Sequence, residues 1–159
     1  MDAIEVHDLH KRYGAHTAVD GCGAPAIAVP LARLAGAYAA LASEPRWRRV
    51  REAGLAHPRL VGGAGRLESE LLAAGVIAKP GAEGVFAAGW TDPRGRVRGL
   101  AVKAEDGASR AAAAATVELL EALGAVPKDL WRPQPPLGGG VPAGAIRADD
   151  GVLELARSA

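Results

Sequence analysis

The chain opens on a period-two segment, Ile4-Glu5-Val6-His7-Asp8-Leu9, which predicts a strand, with Lys11-Arg12-Tyr13-Gly14 as the turn after it. Apolar residues at helical spacing come next. Leu31, Leu34, Tyr38 and Leu41 predict a helix with one buried face, and Pro30 suits its first turn. Ser43 followed by Pro45 predicts an N-cap and a second helix that ends near Gly54. His57-Pro58-Arg59-Leu60-Val61-Gly62-Gly63-Ala64-Gly65-Arg66 reads as a glycine-rich loop. Leu67 to Ala74 reads as a short helix closed by Gly75 as a left-handed C-terminal residue. The longest patterned stretch runs from Val76 to Gly124 as strand, hairpin, strand, strand and helix, with Asp92-Pro93-Arg94-Gly95 as a turn. Beyond it Pro133, Pro135, Pro136 and Gly138-Gly139-Gly140 predict an extended tail, with a final edge strand around Val152 to Leu155. The order of elements predicts an α/β fold: an antiparallel sheet flanked by helices.

Composition narrows the class. A chain of 159 residues fits one domain. Aromatics are only 4% of it, while alanine and glycine are abundant, so the core is expected to be thin. The net charge of +1 argues against a general nucleic-acid or acidic-membrane surface. The short basic cluster Arg46-Trp47-Arg48-Arg49-Val50-Arg51 fits a solvated helix face. Cys22 is the only cysteine, which rules out an intrachain disulfide and fits a reducing compartment. Met1-Asp2-Ala3-Ile4-Glu5 is acidic where a signal peptide would be basic, and no apolar run approaches the ~18 residues of a membrane span. The expected location is the cytoplasm.

Candidate chemistry centres on Lys79, in the frame Lys79-Pro80-Gly81 on an expected inner strand. Glycines beside a strand lysine let a ligand approach the backbone closely. The alternative is a strand-end lysine with its head in water. The glycine-rich segments lack the spacings of a dinucleotide fingerprint or a phosphate-binding loop. His7, His10, His16 and His57 form no metal-ligand spacing, and Cys22 has no Cys-x-x-Cys partner. None of Ser43, Ser69, Ser109 and Ser158 is followed by lysine three positions on, nor sits in a Gly-x-Ser-x-Gly elbow. Lys79 is thus present without a visible nucleophile.

The strand with Lys79 resembles the Lys-Thr-Gly strand of the penicillin-binding serine acyl-enzymes, which is followed by two strands and a helix. A closer resemblance covers Ala18 to about Gly124. Its blocks are Val19-Asp20-Gly21-Cys22-Gly23-Ala24-Pro25, then His57-Pro58 with Val61-Gly62-Gly63-Ala64-Gly65-Arg66, then Lys79-Pro80-Gly81-Ala82-Glu83-Gly84, then Leu100-Ala101-Val102-Lys103-Ala104-Glu105-Asp106-Gly107. In this order they resemble the C-terminal half of the bacterial L-asparaginase II family, zinc-linked serine–lysine amidohydrolases with a penicillin-binding/β-lactamase-like fold. The resemblance implies L-asparagine as substrate, Cys22 as one thiolate ligand of zinc, and Lys79 as the lysine of a second serine–lysine pair. It implies no role for Asp20, Arg66 and Glu83 beyond membership of the blocks.

The departures are as informative. The family's Ser-x-x-Lys motif, its Ser-His-Ser-Gly-Glu-like segment and its Cys-x-x-Lys pair are not in the sequence. Residues 1–17, with Ala18-Val19-Asp20-Gly21 after them, instead resemble the opening strand of an ABC-transporter ATPase, in which Tyr13 would stack on adenine and a Walker A loop should follow. The string Ala18-Val19-Asp20-Gly21 is common to both resemblances, as expected where two coding sequences are joined. The reading is a leader strand over 1–17 and, over 18–159, part of an asparaginase II-like domain, truncated and inactive alone. That truncation predicts apolar faces, on the sheet and on the 31–41 helix, that drive self-association or a homo-oligomer. The rival reading is a non-catalytic binding or assembly protein derived from the same fold.

Overall fold

The computed structural model describes Ala18–Val19, Pro25–Ala26 and residues 28–157. The expected strand over 4–9, its turn, Asp20 and Cys22 lie outside the described residues. The first described elements are a short antiparallel pair, β1 (Ala18–Val19) and β2 (Pro25–Ala26). Helix α1 (Leu31–Ser43) follows, then a 3-10 turn (Pro45–Trp47), α2 (Arg48–Ala56), α3 (Pro58–Gly62) and α4 (Leu67–Ala73). Strands β3 (Ile77–Gly81), β4 (Val85–Thr91) and β5 (Val97–Lys103) form an antiparallel sheet in that order. Helix α5 (Ser109–Ala122), a hairpin of β6 (Leu137–Gly138) and β7 (Val141–Pro142), and α6 (Asp150–Arg157) complete it. This is the mixed α/β arrangement expected, an antiparallel sheet flanked by helices.

Strand alternation sorts the sheet into two faces. Ala78, Phe86, Ala88, Trp90 and Leu100 point to one side, where α4, α5 and α6 supply Leu67, Leu71, Val117, Leu120 and Ala156. Ala87 and Ala101 point to the other, where α1 lies with Leu31, Leu34, Ala35 and Tyr38. Both faces of the sheet are therefore covered within the chain, and the 31–41 helix is packed rather than open. On the α1 side the core is thin, as the composition suggests: its most buried helix residues are Ala35 and Ala39. The reason is the paired glycines Gly89↔Gly99 on the facing strands. A Cβ on Gly89 would overlap the Tyr38 carbonyl, and one on Gly99 the Ala35 carbonyl, so the helix backbone rests on the sheet.

Helix ends follow local chemistry. After α4, Gly75 (φ 86°) takes the left-handed conformation while the Val76 N–H reaches the Leu71 carbonyl at 2.9 Å. Gly124 (φ 68°) closes α5 the same way, with Ala125 N–H on Leu120 O at 2.8 Å. The Asp92–Gly95 turn forms as expected. The Asp92 carboxylate accepts the N–H groups of Arg94 and Arg96, both at 2.9 Å, and the Arg96 guanidinium at 2.8 Å. Desolvation alone would raise the Asp92 carboxyl, but these hydrogen bonds outweigh it and hold it below the usual aspartate value.

Three expectations need correction. Ser43 is not an N-cap: its hydroxyl donates back to Ala39 O at 3.0 Å, so α1 runs through it and stops at Glu44, the residue that Pro45 forces out of the helical region. The His57–Arg66 segment is not all loop. Pro58 presets the first turn of α3, and Leu60 and Val61 N–H groups bond to His57 O. Finally, the residues around 152–155 are helical, not an edge strand. Asp149 accepts the Gly151 N–H at 2.8 Å as a cap, and Val152 and Ala156, four residues apart, lie on one face toward the core. No helix among the described residues is long and apolar enough to cross a membrane.

Candidate active site at one end of the sheet

The ladder places Lys79 opposite Ala87, which pairs with Ala101; one step on, Gly81 pairs with Val85 and Val85 with Lys103. Alternation thus puts Lys79 and Lys103 on the face that α1 covers, toward the end of the sheet where the β3–β4 turn lies. Among the described residues β3 is an edge of this sheet, and Lys79 is not on an inner strand of it. Pro80, which has no N–H, keeps this edge from extending the ladder to a further strand.

Lys79 is exposed, and its Nζ donates to the Val61 carbonyl at 3.1 Å. That carbonyl belongs to α3, so the fold joins the His57–Arg66 block to the Lys79–Gly84 block. Ser69 fixes the joint from α4. It is 4% exposed, and its Oγ lies 2.6 Å from Gly63 O and 3.2 Å from Pro58 O. Gly62 must be glycine for reasons of space, because a Cβ there would overlap Ser69 Oγ and Glu68 Cγ. Arg66 pairs with the buried Glu68 at 3.3 Å. Ser69 is therefore committed to holding α3. Replacing it by alanine should cost about 1–2 kcal/mol, since carbonyls in a tight turn lose their donor. Chemical denaturation checks the loss, and hydrogen exchange over residues 58–66 should speed up. An unchanged exchange pattern would show that α3 is held by other contacts.

The other side of the site joins the Lys79–Gly84 block to the Leu100–Gly107 block. Glu83 sits in the left-handed region (φ 56°), as does Gly84 (φ 68°). Lys103 Nζ donates to Glu83 O and, at 2.6 Å, to Ala104 O, while Ala104 N–H donates to Gly84 O at 2.8 Å. Gly107 (φ 77°) leaves room for the Glu83 side chain, because a Cβ there would stand 2.8 Å from Glu83 Oε2. Lys103 stands in the Leu100–Gly107 block with no role that its residue type or frame announces. Its spacing gave no sign that its amine would brace the hairpin of the strand that carries Lys79.

Of the residues singled out from the sequence, Lys79 reaches the Val61 carbonyl, Arg66 pairs with Glu68, and Glu83 is held through its carbonyl by Lys103, with no contact among the three. Asp20 and Cys22 lie outside the described residues. Among the described residues no hydroxyl hydrogen-bonds to Lys79, and no three of His, Cys, Asp and Glu cluster closely enough to hold a metal ion. The Arg46–Arg51 segment is a solvated face as expected: Arg46 pairs with Glu44 at 2.5 Å and lies over the Trp47 ring, and Arg51 caps α1 through Leu41 O at 3.1 Å.

No curated protein and no solved structure gives a significant match to the chain. The sequence model of the L-asparaginase II family matches residues 3–148. That range spans all four blocks, takes in most of the stretch compared with an ABC-transporter ATPase, and runs on past Gly124 through the hairpin of β6 and β7. The chain belongs to the L-asparaginase II family.

Proposed function

We propose that the chain supplies the lysine-bearing half of an asparagine-hydrolysing site, in a β-lactamase-like domain, and that the attacking serine is not among residues 1–159. The family match carries this reading. The amine of Lys79, exposed at the middle of β3 and hydrogen-bonded only to a backbone carbonyl among the described residues, supports it. In the chemistry implied, a serine hydroxyl loses its proton to the lysine amine and attacks the side-chain amide carbon of L-asparagine. The C–N bond breaks, the nitrogen takes a proton and leaves as ammonia, and water then cleaves the acyl ester to give L-aspartate. Lys79 is the base in that scheme. Ser69, which holds α3, and Lys103, which holds the β3–β4 hairpin, position it.

The zinc that the family implies does not fit the residues described. A closed site needs about four ligands, Cys22 offers one thiolate, and the described residues add no cluster. No step here depends on it. The purified chain, incubated with L-asparagine, should release ammonia no faster than buffer, and zinc titration should show no tight stoichiometric site. Turnover that vanishes in Lys79→Ala would overturn the split-site reading and require a nucleophile within this chain, with Thr17 and Ser109 the first to replace.

A further inference from the structure

His57 and Pro58 open one of the four blocks, but the chemistry at Lys79 gives the His57 side chain no part. His57 ends α2. With Arg59 and Leu60 of α3, and Glu70 and Ala73 of α4, it lines an open cleft of about 410 Å³. That volume lies within the ~300–1,000 Å³ usual for small-ligand sites. The cleft is preformed. Pro58 starts α3, and the Leu60 N–H donates to His57 O at 3.0 Å. The buried Ser69 Oγ, also in the lining, ties α4 to Pro58 O and Gly63 O at 3.2 and 2.6 Å. The walls therefore do not have to be assembled by a ligand.

The cleft brings opposite charges to one opening and keeps them apart. The Arg59 guanidinium and the Glu70 carboxylate both line it, and neither makes an ion pair or a side-chain hydrogen bond with the other or with any described residue. The His57 ring is in the same position, a further donor or acceptor without a partner among the described residues. In the neighbouring segments such charges do pair: Arg46 with Glu44, Arg48 with Glu52 and Arg66 with Glu68. A cation and a carboxylate that face one cleft without meeting suit a dipolar ligand that bridges them, because each then gains a charge-assisted hydrogen bond. The rest of the lining is small and apolar, Ala56 and Ala73 with Leu60, which is 85% exposed. We propose that this cleft binds a free α-amino acid with a short side chain, its carboxylate on Arg59, its ammonium on Glu70 and its aliphatic part on Leu60 and Ala73. Neither Lys79 nor Val61 is in the lining, so the site is separate from the lysine end and the inference does not rest on the asparaginase reading.

Titration of the purified chain with L-alanine, followed by amide NMR, should give saturable shifts at residues 56–60 and 69–73. The dissociation constant should be of the order of 1 mM, since so small a ligand has few atoms to contribute. Propionate and ethylamine carry one charge each and should bind at least about tenfold more weakly than L-alanine. Arg59→Gln and Glu70→Gln should each weaken L-alanine binding at least about tenfold. Their circular dichroism should stay that of the wild type, because neither side chain has a described partner to lose. Lys79→Ala should bind L-alanine as tightly as the wild type. The readout needs no turnover, so failure of the asparaginase reading leaves it unaffected. Shifts that never saturate, propionate binding as tightly as L-alanine, Gln variants that bind like the wild type, or binding lost in Lys79→Ala would each overturn the proposal.

Discussion

Replacing Gly99 or Gly89 by alanine should destabilise the protein by about 3 kcal/mol or more, the largest loss expected from adding one methyl group anywhere in the described fold. At Gly99 the added Cβ overlaps the Ala35 carbonyl, and at Gly89 the Tyr38 carbonyl. These obstacles are backbone atoms of a helix, so no rotamer change relieves them. Either α1 lifts from the sheet, which separates Ala35 from Ala87 and Ala101, or β4 and β5 twist away from each other. Both responses break contacts along the whole helix. A control of opposite sign lies on α1 itself: nothing stands within 4 Å of a Cβ at Gly36, so Gly36→Ala should stabilise by about 0.5–1 kcal/mol through helix propensity alone. Urea denaturation of the three variants, read as midpoints at constant slope, measures both effects. If Gly99→Ala and Gly36→Ala shift the midpoint in the same direction, the close seating of α1 is not what stabilises that face.

The contrast between these glycines shows where sequence reading stops. Leu31, Leu34, Tyr38 and Leu41 announce a helix with an apolar face, and α1 forms where that spacing says. The spacing does not say that Ala35 and Ala39 are buried most deeply, because that depends on a glycine pair about sixty residues away in a register no local pattern encodes. The three strands, the Asp92–Gly95 turn and the closing role of Gly75 were legible, since each depends on residues within a few positions. Ser43 and the Val152–Leu155 segment were misleading for a related reason. Ser43 has two uses for its hydroxyl, and the neighbouring proline rather than the cap decides where α1 ends. The last segment is apolar enough for a strand but lies beside α5, where a helical face packs better.

The site was legible as residues and not as geometry. Lys79 was recognisable from its glycine frame, but an edge strand and an inner strand look alike until the sheet order is known. That Val61 O receives the lysine amine depends on α3, which forms because Pro58 begins a helix in a segment whose glycines suggest a loop. Glu83 could be quoted as part of a block, yet its positive φ follows from the hairpin length and from Gly107 standing back to admit it. These are contacts between blocks 20 or so residues apart, the scale at which a single sequence falls silent.

Co-expression with the N-terminal half of an intact family member, carrying Ser-x-x-Lys and Cys-x-x-Lys, should yield asparagine hydrolysis that neither part shows alone. Lys79→Ala should then abolish it by at least about a hundredfold, the usual scale for removing a proton-transfer group. Lys79→Arg should be as inactive. An arginine keeps the positive charge and can still donate to Val61 O, but its guanidinium remains protonated at any working pH and takes no proton from serine. The pair of variants separates the proton-accepting role from simple charge. If Lys79→Arg keeps most of the activity while Lys79→Ala loses it, the lysine stabilises charge and is not the base. Lys103→Met should behave differently from both. With the Glu83 carbonyl no longer held, the β3–β4 hairpin loosens, so turnover falls less, and added L-aspartate restores thermal stability to this variant but not activity to Lys79→Ala. A reconstituted activity that ignores all three substitutions would assign the base to the added half. A chain that never associates with that half, yet unfolds cooperatively by itself, would make this an independent domain and return the weight to a binding role.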